Sequence, residues 1–453
     1  MPRYFMRSCL GHQWIAAMLL VSSCVLKETV IQPAPPPVPL PTTPCSPHVV
    51  EGFTDKVSYF PGDSVIVYLQ TRESVSPCKL DIYDVNGNVV LSVPTSLFPQ
   101  LSPDTTEAGY GYLPTVKILV PPATASGMYL IENDIPFIVK TRKRVDITIV
   151  YPVNTANAYS NSGGKSLYST DHRPFLVSFL RPISLQSRSE YCLKWFSSLH
   201  DITVGYVSDV DLDSYSSIEL SKIIVIPGHS EYWTRAARLN FDKFVNDGGH
   251  ALILSGNTMW WQVRYSADYT NMICYKDALL DPESDPLLKT INWDRDELHY
   301  SILSSIGADF PHGGYGLKDD AGWDGFKINT PGSPLLKGLG LKKGDTLSLP
   351  SGEYDGAPIL AFDTNGYPVL DSVQLNFNKI ELIGFDKGSR AGKETIGTFI
   401  VFQKSASSGI IMNAASYGWC SSDGMGGASA QSIKTITRNA IDLLLKGESV
   451  FSK

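Results

Sequence analysis

Residues 223–264 read IIVIPGHSEYWTRAARLNFDKFVNDGGHALILSGNTMWWQVR, and this stretch decides the fold. The run 223–226 is wholly apolar, as a strand buried on both faces requires. Pro227 and Gly228 close it. Thr234 can cap a helix in which Ala237, Phe241, Phe244 and Val245 fall on one face. Gly248 and Gly249 stop that helix, and 251–254 form a second buried strand. The polar residues stand where loops leave the strands: His229, Ser230 and Glu231 after the first, Asn257 after the second. In an open parallel sheet that carboxyl edge is where ligands bind. Trp233, Trp260 and Trp261 lie close by as pocket wall or core.

The same alternation extends in both directions. Residues 147–150 and 202–207 read as strands and 190–200 as a helix, with Leu193, Phe196 and Leu199 on one side. Further strands are expected at 359–362, 380–383, 399–402 and 410–413, and a last helix at 433–445 that Gly447 ends. Strands alternating with helices predict an α/β domain over 146–453 built on a parallel sheet. Residues 264–356 are rich in Gly, Pro and Asp with weak periodicity, and read as a loop-rich insertion that could fold over the crevice.

Residues 46–142 have a different rhythm. Alternating runs at 64–69, 80–85, 115–120 and 128–131, with a tight turn at Asn86-Gly87, predict a small β-sandwich of immunoglobulin-like outline. Ahead of it, Arg3 and Arg7 precede the apolar run 14–21 and Ser22-Ser23-Cys24. That pattern is a secretory signal over 1–23, and Val21-Ser22-Ser23-Cys24 resembles the lipidation site of a bacterial lipoprotein. Residues 24–45, crowded with proline, make a stiff tether. The expected location is therefore an exported, membrane-anchored lipoprotein, held through lipidated Cys24, in the periplasm or at the cell surface. Of seven cysteines, five would remain after processing and lipidation. Cys45 and Cys78 are either a disulfide or two buried thiols; Cys192, Cys274 and Cys420 read as core. A net charge of −7 without a long basic run argues against a nucleic-acid partner.

A second polar cluster, 151–168, follows the strand at 147–150. Its Gly164-Lys165-Ser166 copies the end of a phosphate loop, but Tyr159 stands where the motif needs glycine. No G-x-S-x-G surrounds a serine, and no cysteine sits at a strand-to-helix turn, so a nucleophile elbow is not indicated. Asp171, His172 and Arg173 read as a surface loop, with Arg173 the member best suited to support a site.

Ala158-Tyr159-Ser160-Asn161, Gly163-Gly164, Ser166-Leu167-Tyr168, Arg173-Pro174, then 227–233 (PGHSEYW) and Ser255-Gly256-Asn257 resemble the C-terminal catalytic domain of the N,N-dimethylformamidase large subunit, across roughly 147–445. The resemblance implies a class I glutamine amidotransferase-like domain that hydrolyses the C–N bond of small amides. It also implies one iron(III) held by two tyrosines and a glutamate, with a histidine and an asparagine alongside. Carried over, Glu231 is the glutamate ligand, His229 and Asn257 are the flanking pair, and Tyr159 is the first tyrosine. Tyr191 is the second by choice and Tyr168 the runner-up. The small partner subunit and longer N-terminal region of that enzyme have no counterpart in this sequence. The chemistry is coherent: phenolate and carboxylate are hard donors for a hard cation. Glu231 as a ligand is a poor base, which leaves His229 to move a proton and Asn257 to anchor the water or the oxyanion. The rival readings are a non-catalytic surface lipoprotein that binds a carbohydrate or peptide in the same cleft, and a hydrolase using zinc or no metal.

Overall fold

The strand Ser221–His229 is the axis of the largest sheet, and its side chains show why an unbroken apolar run belongs there. Ile223 and Val225 enter one core, while Ile224 and Ile226 enter another on the opposite face, all four fully buried. A strand alternates its side chains between faces, so a run apolar at every position needs a covered sheet on both sides. One cover is the helix Arg235–Asn246, through Ala237, Phe241, Phe244 and Val245. The other is made by the helices Ser187–Ser197 and Ala430–Lys446, through Leu193, Phe196, Ile433, Ile436 and Ala440. Thr234 caps its helix as expected, accepting from the Ala237 N–H at 3.0 Å. The helix predicted at 190–200 begins and ends three residues earlier, at Ser187–Ser197.

This computed structural model describes residues 40–101, 105–316 and 325–452. The signal-like segment, Cys24 and most of the proline tether lie outside them. Leu40–Lys453 forms one compact unit.

Five strands lie parallel and adjacent in the order Val204–Ser208, Val145–Tyr151, Ser221–His229, His250–Gly256, Ile410–Asn413. Beyond them the sheet turns antiparallel through Lys393–Gln403, Lys379–Arg390, Asp309–Tyr315 and Glu353–Gly356. The fold is mixed α/β, and the wholly parallel sheet expected from sequence is corrected here. The reason is local. Ala391 and Gly392 both have positive φ (51° and 75°) between the paired residues Arg390 and Lys393. A two-residue turn of that kind joins neighbouring antiparallel strands and leaves no room for a crossover helix. The strand expected at 359–362 forms, but it pairs with Pro368–Leu370 in a separate hairpin. The insertion is likewise more than loops, since Asp309–Tyr315 and Glu353–Gly356 place it inside the main sheet.

The strands before residue 140 form a five-stranded and a three-stranded sheet. Both contribute to one core, with Val65, Val67 and Ile118 from one sheet and Leu80, Ile82 and Phe137 from the other. A disulfide joins Cys45 to Cys78 within it; Cys192, Cys274 and Cys420 are buried free thiols. Val85, Met128 and Ile138 belong to the same core as Ile147 and Ile149, so the two halves pack directly on one another.

Candidate active site

The parallel register sets the site. His229 pairs with Gly256, so the loops leaving Ser221–His229 and His250–Gly256 emerge side by side. The helix Val153–Tyr159 starts directly after Val145–Tyr151 and carries Tyr159 at its end. Asp209, fully buried, accepts from the Asn154 N–H and fixes the start of that helix. At the next residue, Thr155 Oγ1 accepts from the Glu231 N–H at 2.8 Å, tying the helix to the loop that bears the glutamate.

Glu231 is the hub. It is 2% exposed. Tyr159 donates to its Oε2 at 3.0 Å, and Tyr168 donates to both oxygens at 2.7 and 2.8 Å. The two tyrosine rings stack with centroids 4.3 Å apart, and Tyr232 donates to the Tyr168 hydroxyl at 2.8 Å. Burial and the Glu231 charge push both phenols far above the ordinary tyrosine range. Burial also pushes the Glu231 carboxyl up, against the opposing pull of His229.

His229 is 1% exposed. Its Nδ1 lies 3.0 Å from the Gly256 carbonyl, which can only accept, so Nδ1 carries the proton. Nε2 is then the free acceptor, 3.3 Å from the Tyr159 hydroxyl, 3.5 Å from Glu231 and 3.6 Å from Glu353. Burial holds the imidazole below its ordinary pKa and therefore neutral at pH 7. Asn257 sits in the left-handed region (φ 52°), which asparagine tolerates. Asp355, buried with its carboxyl pushed well up by desolvation, accepts from the backbone N–H groups of Asn257 and Thr258 at 3.0 and 3.1 Å and holds that turn.

The expected residues thus divide. Tyr159, His229 and Glu231 meet, and Asn257 stands beside them. Tyr191 is corrected: it lies on the helix Ser187–Ser197 over Gly426, where an added Cβ would come within 2.5 Å of its ring, and Tyr168 is the tyrosine that reaches Glu231. The choice depended on which loop folds back, and helical periodicity is silent on that. Arg173 donates to the Tyr275 carbonyl at 2.8 Å, while Asp171 and His172 are exposed and paired with each other. Trp233 is core, its indole N–H bonded to Ser230.

Three residues were missed. Glu353 comes from the insertion; its Oε2 is buried without a hydrogen-bond partner, as is Asn257 Oδ1. Burial pushes the Glu353 carboxyl up, opposed by Asn257 and by the Arg188 charge. Lys276, also from the insertion, is held over the Tyr168 ring at 3.7 Å and donates to the Leu167 carbonyl at 3.2 Å. Arg181, fully buried, donates to the carbonyls of Asn157, Ser160, Ser162 and Lys165 and so fixes the loop leading to Tyr168. Glycine and aspartate loops carry no periodic signal that would have pointed to Glu353 or Lys276. A lone arginine ahead of Pro182 would not have pointed to Arg181 either.

What this set can hold is a matter of donor chemistry. Among the described residues no cluster of three or more His, Cys, Asp or Glu side chains forms a ready metal cage. The convergent donors here are two phenols and a carboxylate, with a partnerless carboxylate oxygen nearby. Hard oxygen donors of this kind fit a hard cation such as iron(III) and suit softer metals poorly.

Residues 85–425 match the family described as N,N-dimethylformamidase beta subunit-like, C-terminal. The chain belongs to this family. The assignment to a large subunit is thereby corrected: the family is beta-subunit-like, and the match begins inside the first all-strand region rather than at 147. No curated protein matches the chain. Among solved structures, a ThuA-like protein from Bacteroides uniformis overlaps at TM-score 0.32 and 9% identity, over 68% of this chain and 95% of that one. A cycloisomaltooligosaccharide glucanotransferase from Paenibacillus, solved with cycloisomaltoheptaose, overlaps at TM-score 0.15 and 13% identity, over 40% of this chain and 20% of that one. Neither overlap bears on what this family member does.

Proposed function

We propose that this protein hydrolyses the C–N bond of an amide at a single iron held by Tyr159, Tyr168 and Glu231. The observation that carries the reading is the convergence of both phenols on one buried carboxylate at 2.7 to 3.0 Å, at the carboxyl edge of the parallel strands. We read those strands as glutamine amidotransferase-like and the first two sheets as an immunoglobulin-like sandwich. Bound iron(III) would polarise the amide carbonyl and acidify a water molecule.

The chain's own residues do the rest. Glu353, with one oxygen unengaged, takes the proton from the attacking water. His229 offers an unprotonated Nε2 between Glu231 and Glu353 and orients that water. Asn257 bears on Glu353 and favours its charged form. Water adds to the carbonyl carbon, the C–N bond breaks, and the proton held by Glu353 passes to the leaving amine. The products are a carboxylate and an amine. Glu353 replaces His229 as the proposed base because its Oε2 has no hydrogen-bond partner, whereas His229 Nε2 faces the Tyr159 hydroxyl at 3.3 Å.

The exported, lipid-anchored location belongs to the same proposal. The signal-like residues before Cys24 support it, as does the Cys45–Cys78 disulfide, since such bonds persist in oxidising compartments.

The test uses protein purified without chelator. One iron per chain and acid release from an amide are expected. Glu353→Gln should keep the iron and lower kcat by about 10²–10⁴, the range for a lost general base. Protein that binds no iron and cleaves no amide would overturn the reading.

A further inference from the structure

A cavity of about 910 Å³ opens on Tyr159 and His229. Pockets of roughly 300–1,000 Å³ take ligands of drug size, far larger than a dialkyl formamide. Its walls are also the wrong chemistry for a small apolar amide. Asn161, Ser162, Ser184 and Ser187 line it, and among the described residues none of these side chains has a hydrogen-bond partner within the protein. Its charged side chains are Glu51 and Arg188, of opposite sign. Such a surface offers neutral donors and acceptors with no net charge.

The wall is built rather than incidental. Arg181 staples the loop carrying Asn161 and Ser162 from beneath. From above, the first all-strand region grips the same loop. Thr106 Oγ1 donates to the carbonyls of Gly163 and Lys165, and the Tyr110 hydroxyl accepts from the Gly163 N–H at 2.8 Å. A Cβ on Gly163, at φ 80°, would lie 2.6 Å from the Thr106 backbone nitrogen, so the close approach requires glycine. Tyr110 and Glu51 from that region then line the cavity themselves. Groups held this way lose little freedom when a ligand arrives.

We infer that the amide cleaved here belongs to an N-acylated amino sugar. This rests on the amide-hydrolase reading and specifies its substrate. The ring hydroxyls of a sugar match the unpaired serine and asparagine groups, its neutrality matches the balanced wall, and its flat C–H face matches the exposed ring of Tyr159. A peptide would need apolar subsites for its side chains, and Leu185 and Ala156 are the cavity's aliphatic side chains. The reaction takes one water, breaks the bond between acyl carbon and sugar nitrogen, and releases a carboxylate and a protonated amino sugar.

The probes are N,N′-diacetylchitobiose, N-acetyl-dialanine and N,N-dimethylformamide, each titrated calorimetrically and assayed for acid release with the intact protein. Diacetylchitobiose should bind saturably to wild type and to Glu231→Gln, which disables the centre but leaves the wall. The double variant Asn161→Ala/Ser184→Ala should weaken that binding about tenfold or more, the worth of two neutral hydrogen bonds. Both side chains are exposed, so the variant should fold. Tighter binding or faster cleavage of the dipeptide or of dimethylformamide would overturn the inference and leave the hydrolase reading standing. Sugar binding that depends on Asn161 and Ser184 without cleavage of any amide would do the reverse, retaining the ligand class and removing the hydrolysis.

Discussion

Tyr168 shows how much one side chain decides. It donates to both oxygens of Glu231, stacks on Tyr159, receives a hydrogen bond from Tyr232 and lies beneath the Lys276 ammonium. Tyr191, by contrast, rests on Gly426. Under the iron reading the two tyrosines should separate cleanly. Tyr168→Phe removes one of three protein ligands, and loss of an ordering partner alone costs a metal site about 10–100-fold in affinity. The variant should therefore purify with little iron and without the visible tyrosinate-to-iron absorption. Tyr191→Phe should keep both. Metal analysis and a visible spectrum suffice, and equal iron content in the two variants would remove Tyr168 from the ligand set. Glu231, His229 and Asn257 were legible in the sequence because they follow strands whose apolar runs are unmistakable. Tyr168 and Glu353 were not, because each reaches the site from a loop whose path no local pattern encodes.

At the scale of elements, a buried ion pair closes the first part of the insertion on itself. Arg264 donates to both oxygens of Asp281 at 2.9 Å, and the Thr290 N–H and hydroxyl each donate to it at 2.7 Å. Lys276 lies inside the span so closed. Burial alone would push the Asp281 carboxyl up, but Arg264 and Thr290 override it and hold it well below the usual carboxylate range. The folded state therefore binds this proton less readily than the unfolded chain. The pair's contribution is complete above the ordinary aspartate pKa of about 3.9 and is lost as pH falls through the depressed folded value. Asp281→Asn leaves Arg264 only the more distant Glu283 carboxylate, at 3.8 Å, and should destabilise the protein by about 3 kcal/mol at pH 7, the lower end for breaking a buried pair. It should also flatten the acid limb of the stability curve. Chemical denaturation at pH 7 and at successive acid steps measures both, and a variant as stable as wild type at pH 7 would show the staple to be dispensable. Helices and buried strands were readable at this scale from periodicity and caps. The antiparallel half escaped because Ala391-Gly392 is a weaker turn signal than Asn-Gly, although it acts in the same way.

At the scale of the molecule, the first all-strand region is part of the working unit. Its residues Val85, Met128 and Ile138 share a core with the parallel strands, and its Thr106 and Tyr110 hold the loop beside Tyr159. Its own core contains the Cys45–Cys78 bridge, which links cysteines 33 positions apart in sequence. Replacing both cysteines with serine should cost about 2–4 kcal/mol, as for loops of this order. Because the cores are continuous, the loss should lower the main thermal transition of the whole protein rather than release an early one from the first region alone. Calorimetry with and without the bridge distinguishes the two outcomes. The sequence by itself determined the buried parallel strands, the amphipathic helices that cover them and the polar residues at their carboxyl ends, because backbone periodicity and capping are written over a few consecutive residues. The tertiary structure alone decided that Tyr168 and not Tyr191 meets Glu231, that Glu353 and Lys276 enter from the insertion, and that the sheet reverses direction. Those contacts join residues far apart in sequence, and only the summed packing of distant elements brings them together.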